Sequence, residues 1–388
     1  MDEKIKQGIL NHIDKNETIN LLQEYIKIPS VSGEEEELAK AIQETCKGIG
    51  MESIIDRHGN VVSTYKWKKS GPKLACNAHM DTVGFGEGWS FNPIGGEVLD
   101  GKIYGRGAVD DKGQIVSQIM AAKAIIESKV ELSGELVLCH VVEEEVQNVS
   151  RKGTVKMFQD GFKADMAING EASELYIQLV CGGMLEIQIT TLGKRAHGSN
   201  PEYGINAIKN MCKIIDEIDK LQPGYNKYTG YGSIVPGVIM GGERSSVVPD
   251  RCELKVSRFT VPGETGTMFY SQVLGIIERL KLEDPNFDAR AELLYDSNPS
   301  IVSENAEVVQ KMSYALKDVF GSKHPIVFKG TPQHDDADFL TNMAGIPTLI
   351  FGAGKNNVAH IPDEYIPIDD LINATKVYAM AFYNILVS

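Results

Sequence analysis

The sequence predicts an α/β protein with a mostly parallel sheet, into which a ferredoxin-like α+β domain is inserted. Three observations support this fold class. Short apolar runs alternate with amphipathic helical patterns, polar residues follow the ends of those runs, and the pattern changes between about residues 184 and 297. A chain of 388 residues is also long enough for two domains.

The N-terminal part is predicted to be helical. Residues 18–50 have helical periodicity, interrupted by a turn at residues 29–33. Ser32 is a suitable N-cap for a helix that begins at Glu34, because a serine hydroxyl can accept a bond from a main-chain N–H that has no partner within the helix.

Four apolar runs are predicted as strands of the parallel sheet. They consist mostly of branched and other apolar residues, and polar or glycine residues follow each of them. A helical pattern over residues 114–128, with apolar residues on one face, lies between the first two runs. The predicted strands are residues 74–78, 136–142, 164–168 and 348–351.

The inserted domain is predicted from the order strand, helix, strand, strand, helix, strand, which is the ferredoxin-like motif. The parallel-sheet pattern resumes after Pro299. We therefore expect one domain of residues 1–183 and 298–388, and an inserted domain of residues 184–297. The predicted strands are 184–191, 233–240, 252–260 and 287–295, and the predicted helices are 204–221 and 266–282.

Composition limits the partners and the location. A net charge of -14 argues against nucleic acid and against an anionic membrane surface, because both attract clustered Lys and Arg. No apolar run approaches the roughly 18 residues of a membrane span, and the N-terminus has no hydrophobic leader pattern. We expect a cytoplasmic protein whose six widely spaced cysteines form neither disulfides nor metal sites.

Metal-ligating residue types follow several predicted strands. Because the carboxyl ends of parallel strands meet at one edge of a sheet, we expect these side chains to converge. A run of three Glu is ordinarily a solvated surface, but residues 143–145 directly follow the predicted strand 136–142, in which six of seven residues are apolar, and match the positions of the other candidates. The candidate ligands are His79, Asp110, Glu145, Glu171 and His360.

Imidazole and carboxylate donors without thiolates favour two divalent metal ions, most simply Zn, with Co or Mn as substitutes. We assign Asp110 as the bridging ligand. His79 and Glu171 are then expected to hold one ion, and Glu145 and His360 the other.

Two further carboxylates have predicted roles in amide hydrolysis. Glu144 is next to a ligand and can take a proton from the attacking water and deliver it to the leaving amine. Asp81 lies two residues after His79, on the same side of an extended strand, so it can accept the second ring N–H of His79.

In combination, these motifs resemble the two-zinc aminoacylase and carboxypeptidase family, which includes acetylornithine deacetylase, succinyl-diaminopimelate desuccinylase and glutamate carboxypeptidase. The resemblance covers essentially the whole chain. It implies an inserted lid domain, Glu144 as the general base and a cis peptide bond after Asp110. The motifs are residues 78–81, 105–113, 143–145, 170–173 and 359–365.

The resemblance also implies roles for two residues of the inserted domain. His197, in the stretch 194–199, matches a lid histidine that reaches the site of a neighbouring subunit and polarises the scissile carbonyl. Arg258 resembles lid arginines that hold a substrate carboxylate. A homodimer formed through the lid is therefore expected. Without the resemblance, both residues read as ordinary turn or surface positions.

The leading hypothesis is hydrolysis of the amide bond of a small N-acyl amino acid. An exopeptidase or dipeptidase acting on short peptides would use the same residues, and motifs do not separate the two. A non-catalytic binding protein that keeps the metals for stability is the alternative from another class, but it would not need Glu144, Asp81 or His197. A nucleotide-binding protein is disfavoured because Gly105-Arg106-Gly107 lacks the third glycine of that fingerprint.

Overall fold

A computed structural model describes residues 2–146 and 153–387. The chain divides into two compact units. The first unit comprises Met1–Leu179, Ile301–Lys329 and Phe339–Ser388, and the second comprises Val180–Ser300 and Gly330–Asp338. The second unit thus contains the insertion expected at residues 184–297 and adds a short segment from the later part of the chain.

The described residues form nine α-helices and twenty strands. The helices are α1 (Asp2–Leu10), α2 (Lys15–Ile26), α3 (Glu36–Gly48), α4 (Lys112–Glu127), α5 (Gly153–Gln159), α6 (Ala207–Ile218), α7 (Gly266–Glu283), α8 (Glu307–Phe320) and α9 (Ile368–Leu386). The strands are β1 (Glu52–Ile55), β2 (Val61–Lys66), β3 (Lys69–His79), β4 (Val98–Leu99), β5 (Lys102–Tyr104), β6 (Ser133–Val141), β7 (Met166–Gly170), β8 (Ile177–Cys181), β9 (Gly183–Leu192), β10 (Ala196–His197), β11 (Tyr225–Asn226), β12 (Gly230–Tyr231), β13 (Ser233–Gly241), β14 (Val247–Val248), β15 (Arg251–Thr260), β16 (Asp288–Ser297), β17 (Ser300–Ile301), β18 (Phe328–Thr331), β19 (Thr348–Phe351) and β20 (Tyr365–Pro367).

The central sheet confirms the predicted fold class. Its strand order is β1-β2-β6-β3-β7-β19-β8-β17, with β18 paired to β8. The middle strands β6, β3, β7 and β19 are parallel, whereas β1, β2 and β8 add antiparallel pairs. Helices α4 and α9 pack against each other and against β3 and β6, and successive residues of the middle strands are buried, so these strands are covered on both faces.

The predicted start of the third helix is wrong. Helix α3 begins at Glu36, and the residue at its N-cap is Glu35 rather than Ser32. The Ser32 hydroxyl instead donates a hydrogen bond to the Asp81 carboxylate at 2.7 Å. A partner distant in sequence therefore outcompetes the local helix end for this hydroxyl.

The second unit confirms the ferredoxin-like prediction. Its sheet has the order β13-β15-β9-β16, and every neighbouring pair is antiparallel. Helices α6 and α7 share an apolar core with this sheet. Helix α6 is shorter than predicted because the Asn206 side chain accepts from the N–H of Lys209 and caps the helix there.

All six cysteines are free, and five of them are buried. No helix in the described ranges combines the length and the apolar character that crossing a membrane would require.

Candidate metal centre

The parallel strands bring their carboxyl ends to one edge of the central sheet. In the strand register His79 lies beside Val141, and Phe351 lies beside Gly170. Strand β7 continues through Asn169 and Gly170, two residues beyond the predicted end at Ile168, so Glu171 follows the strand directly. Aligned strand ends explain how ligands far apart in sequence meet.

Asp110 lies between two histidines. Its Oδ1 is 3.0 Å from Nε2 of His79, and its Oδ2 is 3.0 Å from Nε2 of His360. Each histidine also faces a second carboxylate: Glu171 Oε1 is 3.7 Å from His79 Nε2, and Glu145 Oε1 is 2.7 Å from His360 Nε2. The five predicted ligands therefore lie together, in the two pairs that the sequence suggests.

The sequence analysis did not single out Asp111, which lies with His79, Asp110 and Glu171. Its Oδ2 accepts a hydrogen bond from the main-chain N–H of His79 at 3.1 Å. The peptide bond between Asp110 and Asp111 is cis, as the family resemblance implies. The ligand atoms within each group lie within 4.8 Å of one another, and the groups are His79, Asp110, Asp111 and Glu171, and Asp110, Glu145 and His360.

The charges around the two imidazoles favour bound cations. The pKa of His360 is raised to about 10 by its hydrogen bonds to Asp110 and Glu145. Burial alone lowers the pKa of His79, but nearby carboxylates, first of all Asp110, outweigh burial and raise this pKa well above its ordinary value. Nearby cations would stabilise so many close carboxylates, and the oxygen and nitrogen donors suit two divalent ions.

Asp81 contacts His79 through a different atom from the one we expected. The ring Nδ1 of His79 lies 2.9 Å from the main-chain carbonyl oxygen of Asp81, and 3.6 Å from its carboxylate. The Asp81 carboxylate, which is fully buried, accepts hydrogen bonds from the main-chain N–H groups of Glu144 and Glu145, each at 3.0 Å. Asp81 therefore contacts both the His79 ring and the loop that carries the predicted base.

Glu144 lies near the first group of ligands. Burial raises the pKa of Glu171 well above its ordinary value, and the charges of Asp111 and, more weakly, Glu144 act in the same direction. Glu144 is partly buried. This environment suits a group that exchanges protons with a bound water.

The sequence analysis did not single out Glu364, whose carboxylate accepts a hydrogen bond from the main-chain N–H of Asp110. Its Oε1 accepts from the main-chain N–H groups of Val109 and Asp110 at 3.0 and 3.2 Å, and its Oε2 accepts from Nη1 of Arg106 at 2.6 Å. Burial, followed by the charge of Asp110, raises the pKa of Glu364 to about 7. The only sequence signal was its position in the stretch 359–365.

His197 is exposed on a two-residue strand of the second unit. Its Nδ1 lies 2.7 Å from the Ser199 hydroxyl and accepts a hydrogen bond from the main-chain N–H of Ser199 at 3.2 Å. Since Nδ1 is an acceptor, a neutral His197 carries its proton on Nε2.

Arg258 is buried, contrary to the reading of a surface arginine. Its side chain is 4% exposed and forms an ion pair with Glu264. Glu264 also accepts from the main-chain N–H groups of Gly224 and Val261. Nη1 of Arg258 has no hydrogen-bond partner in the part of the chain that the structure describes. One guanidinium nitrogen is thus occupied by Glu264 and one is not.

The chain matches a known protein family. The family model described as Peptidase family M20/M25/M40 matches residues 75–384. The chain is 29% identical over 376 residues to the uncharacterized protein YgeY of Escherichia coli (strain K12), covering 92% of each chain. It is 27% identical over 425 residues to N-formyl-4-amino-5-aminomethyl-2-methylpyrimidine deformylase of Halalkalibacterium halodurans, covering 97% of this chain and 96% of that one. It is 26% identical over 318 residues to acetylornithine deacetylase of Myxococcus xanthus, covering 79% of each.

Solved structures share the fold. Aminopeptidase PepT from Bacillus cereus has a TM-score of 0.80 at 19% identity, over 96% of this chain and 99% of that chain. The metallo-carboxypeptidase Sso-CP2 from Sulfolobus solfataricus has a TM-score of 0.79 at 21% identity, over 95% and 100%. The family model confirms the family resemblance. Because the family match spans most of the chain and two groups of metal-ligating side chains meet at the sheet edge, this chain is a metallohydrolase of the peptidase family M20/M25/M40.

Proposed function

We propose that this metallohydrolase cleaves the amide bond of an N-acyl amino acid, with Glu144 as the general base. The observation that carries the proposal is the position of Asp110, whose two oxygens each face a separate pair of one imidazole and one carboxylate. Such a carboxylate suits two metal ions that share one ligand, and we propose Zn, with Co or Mn as substitutes.

The residues of the chain divide the work of hydrolysis. His79 and Glu171 would hold one ion, Glu145 and His360 would hold the other, and Asp110 would be shared by the two groups. When bound, the two ions polarise the scissile carbonyl and make an attacking water more acidic. Glu144 accepts the proton of that water and returns it to the leaving amine. Asp81 holds the loop of Glu144 and Glu145 through two main-chain N–H groups.

Two relatives support an acyl substrate. One is named a deformylase and the other a deacetylase, and both names describe removal of a small acyl group from an amine. Each is more than 25% identical to this chain over most of its length. The cytoplasmic location expected from the sequence stays a prediction.

His197 and Arg258 are the proposed substrate contacts from the second unit. The Nε2–H of a neutral His197 can donate to the carbonyl oxygen as negative charge develops there. Nη1 of Arg258 can donate to a substrate carboxylate, whereas Glu264 occupies Nη2. In the proposed homodimer, His197 serves the site of the partner subunit.

The test is a panel of N-acyl amino acids and dipeptides, hydrolysed by metal-loaded wild type and by Glu144→Gln. We expect the variant to bind two metal ions per chain and to lose about 10²- to 10⁴-fold in kcat, which is the usual contribution of a general base. Faster cleavage of dipeptides than of every N-acyl amino acid would replace the deacylase proposal with an exopeptidase. Full activity in Glu144→Gln would remove Glu144 as the base.

A further inference from the structure

Buried carboxylates hold three consecutive main-chain N–H groups beside the metal centre. Asp81 accepts from Glu144 and Glu145, as described above. The first N–H of the three belongs to Glu143, and it donates to Oε1 of Glu35 at 3.2 Å. Glu35 lies 108 residues earlier in the chain, so this contact exists only in the folded protein.

Glu35 does not do what its position along the chain suggests. It occupies the N-cap of α3, but its side chain makes no capping hydrogen bond to that helix. Its Oε1 accepts from the N–H of Gly33 at 3.0 Å in addition to that of Glu143. The residue is 5% exposed. A carboxylate is costly to bury unless its hydrogen bonds are made, so the contact with Glu143 is a substantial part of what satisfies it.

The backbone conformation of Glu143 requires stabilising contacts from other parts of the chain. Its φ is +58°, in the left-handed region that residues other than glycine rarely adopt. Such a conformation persists when surrounding contacts determine it. Since Glu144 is the next residue, the direction of its side chain depends on the conformation at Glu143.

We propose that Glu35 is a positioning residue for the general base. It acts through the N–H of Glu143 and keeps residue 143 in the conformation that directs Glu144 toward the metal centre. Asp81 holds the N–H groups of both Glu144 and Glu145, but Glu144 is bonded directly to residue 143 and Glu145 is one residue further along, so the loss of the Glu35 contact displaces the base more than the ligand. This inference rests on the proposed role of Glu144.

Three substitutions at one position test the contact. Glu35→Gln keeps an oxygen that can accept from Glu143 and removes only the charge. Glu35→Asp keeps the charge but is one methylene shorter and does not reach Glu143. Glu35→Ala removes the acceptor altogether. Glu34→Ala is the matched control, because Glu34 is the exposed glutamate next to Glu35.

We expect kcat to fall about 10- to 100-fold in Glu35→Ala and Glu35→Asp, as for other residues that orient a catalytic group. KM should stay within about threefold, and both variants should still bind two metal ions. Glu35→Gln should retain most of the activity, and Glu34→Ala should match wild type. A Glu35→Gln variant as impaired as Glu35→Ala would overturn the proposal, as would a Glu35→Asp variant within twofold of wild type.

Hydrogen exchange gives a readout that does not need turnover. The amides of residues 143–145 should exchange faster in Glu35→Ala and Glu35→Asp than in wild type, with little change elsewhere in the first unit. Unchanged exchange at these amides would overturn the proposal even if activity fell. If wild type cleaves no tested amide, the proposed function fails, whereas the exchange rates still decide whether Glu35 holds this loop.

Discussion

The carboxyl edge of the central sheet and strand β13, the edge strand of the sheet in the second unit, differ in how far their apolar residues are exposed. Around the metal centre, the strand residues Ala78, Val141 and Phe351 are at most 1% exposed. In β13, Ile239 and Met240 are 51% and 57% exposed. Strands covered on both faces hold polar side chains at fixed positions where they end. An uncovered edge strand instead offers an apolar surface and unpaired main-chain groups for another chain.

The largest effect is expected from Asp110→Asn. The amide keeps the size of the side chain but is a poor bridge between two cations, so metal content should fall below two ions per chain. Loss of several kcal/mol of charge stabilisation corresponds to about 1000-fold or more in kcat/KM. Metal analysis and kinetics on the same sample measure both effects. Asp100→Asn, an exposed aspartate, is the control.

An Asp110→Asn variant with two bound ions and wild-type kcat/KM would contradict this prediction. The carboxylate at the covered sheet edge would then not be needed to bind the ions.

A smaller loss is expected at Glu364, which contacts Asp110 only through the main chain. Glu364→Ala leaves the N–H groups of Val109 and Asp110 and the guanidinium of Arg106 without their acceptor. We expect kcat/KM to fall about 10- to 100-fold. Glu364→Gln, which keeps an acceptor oxygen, should lose less. Equal activity of wild type and Glu364→Ala would show that Asp110 holds its position without this support.

The β13 surface should control assembly and not metal content. We expect Ile239→Lys to weaken the proposed dimer at least tenfold, because a charge replaces an apolar contact, while two ions stay bound. Light scattering across a concentration series measures the dimer. A wild-type protein that is monomeric and fully active would remove both the dimer and the role of His197 across subunits.

Mixing two inactive variants sharpens this test. Unfolding is not required if subunits exchange, so Glu144→Gln and His197→Ala can be combined directly. A mixed dimer has one site with both Glu144 and a partner His197, and activity should partly return. Activity that stays at the level of the separate variants would place His197 in the site of its own chain or outside the reaction.

The last prediction concerns the interior of the central sheet and the free energy of unfolding. His140 on β6 is fully buried, and neither ring nitrogen has a hydrogen-bond partner among the described residues. Burial lowers the pKa of His140 to about 3. The folded protein therefore keeps His140 neutral, while the unfolded chain takes up a proton below its ordinary pKa of about 6.5, so wild-type stability falls as the pH drops from about 6.5 toward 3.

We expect His140→Leu to remove that dependence. At pH 5 the difference between variant and wild type should exceed the difference at pH 8 by about 2 kcal/mol. At pH 8 the variant should also be more stable, by about 1–3 kcal/mol, because an unpaired buried polar group is removed. Denaturant unfolding at several pH values measures both. A difference that does not change with pH would mean that His140 takes up a proton as readily in the folded protein as in the unfolded chain.

The sequence predicted those parts of the site that depend on local pattern. His79 and Glu145 each follow an apolar strand, and alternation of strands and helices indicates where parallel strands end, so the convergence of the five candidate ligands was foreseeable. Glu35, Asp111 and Glu364 were not, because each acts on a main-chain N–H that is far away in sequence. The pattern of apolar and polar residues along the chain does not indicate which distant main-chain N–H a carboxylate will contact.

The sequence by itself determined the fold class, the family and the residue types available for metal binding, since periodicity and donor chemistry are local properties of the chain. The tertiary structure decided which atoms form the hydrogen bonds that position the site residues. Asp81 contacts the His79 ring with its carbonyl oxygen and holds the Glu144 loop with its carboxylate. Ser32 bonds Asp81 rather than a helix end, and Arg258 is buried against Glu264. A hydrogen bond goes to whichever partner packing leaves within about 3 Å, and only the folded chain determines that partner.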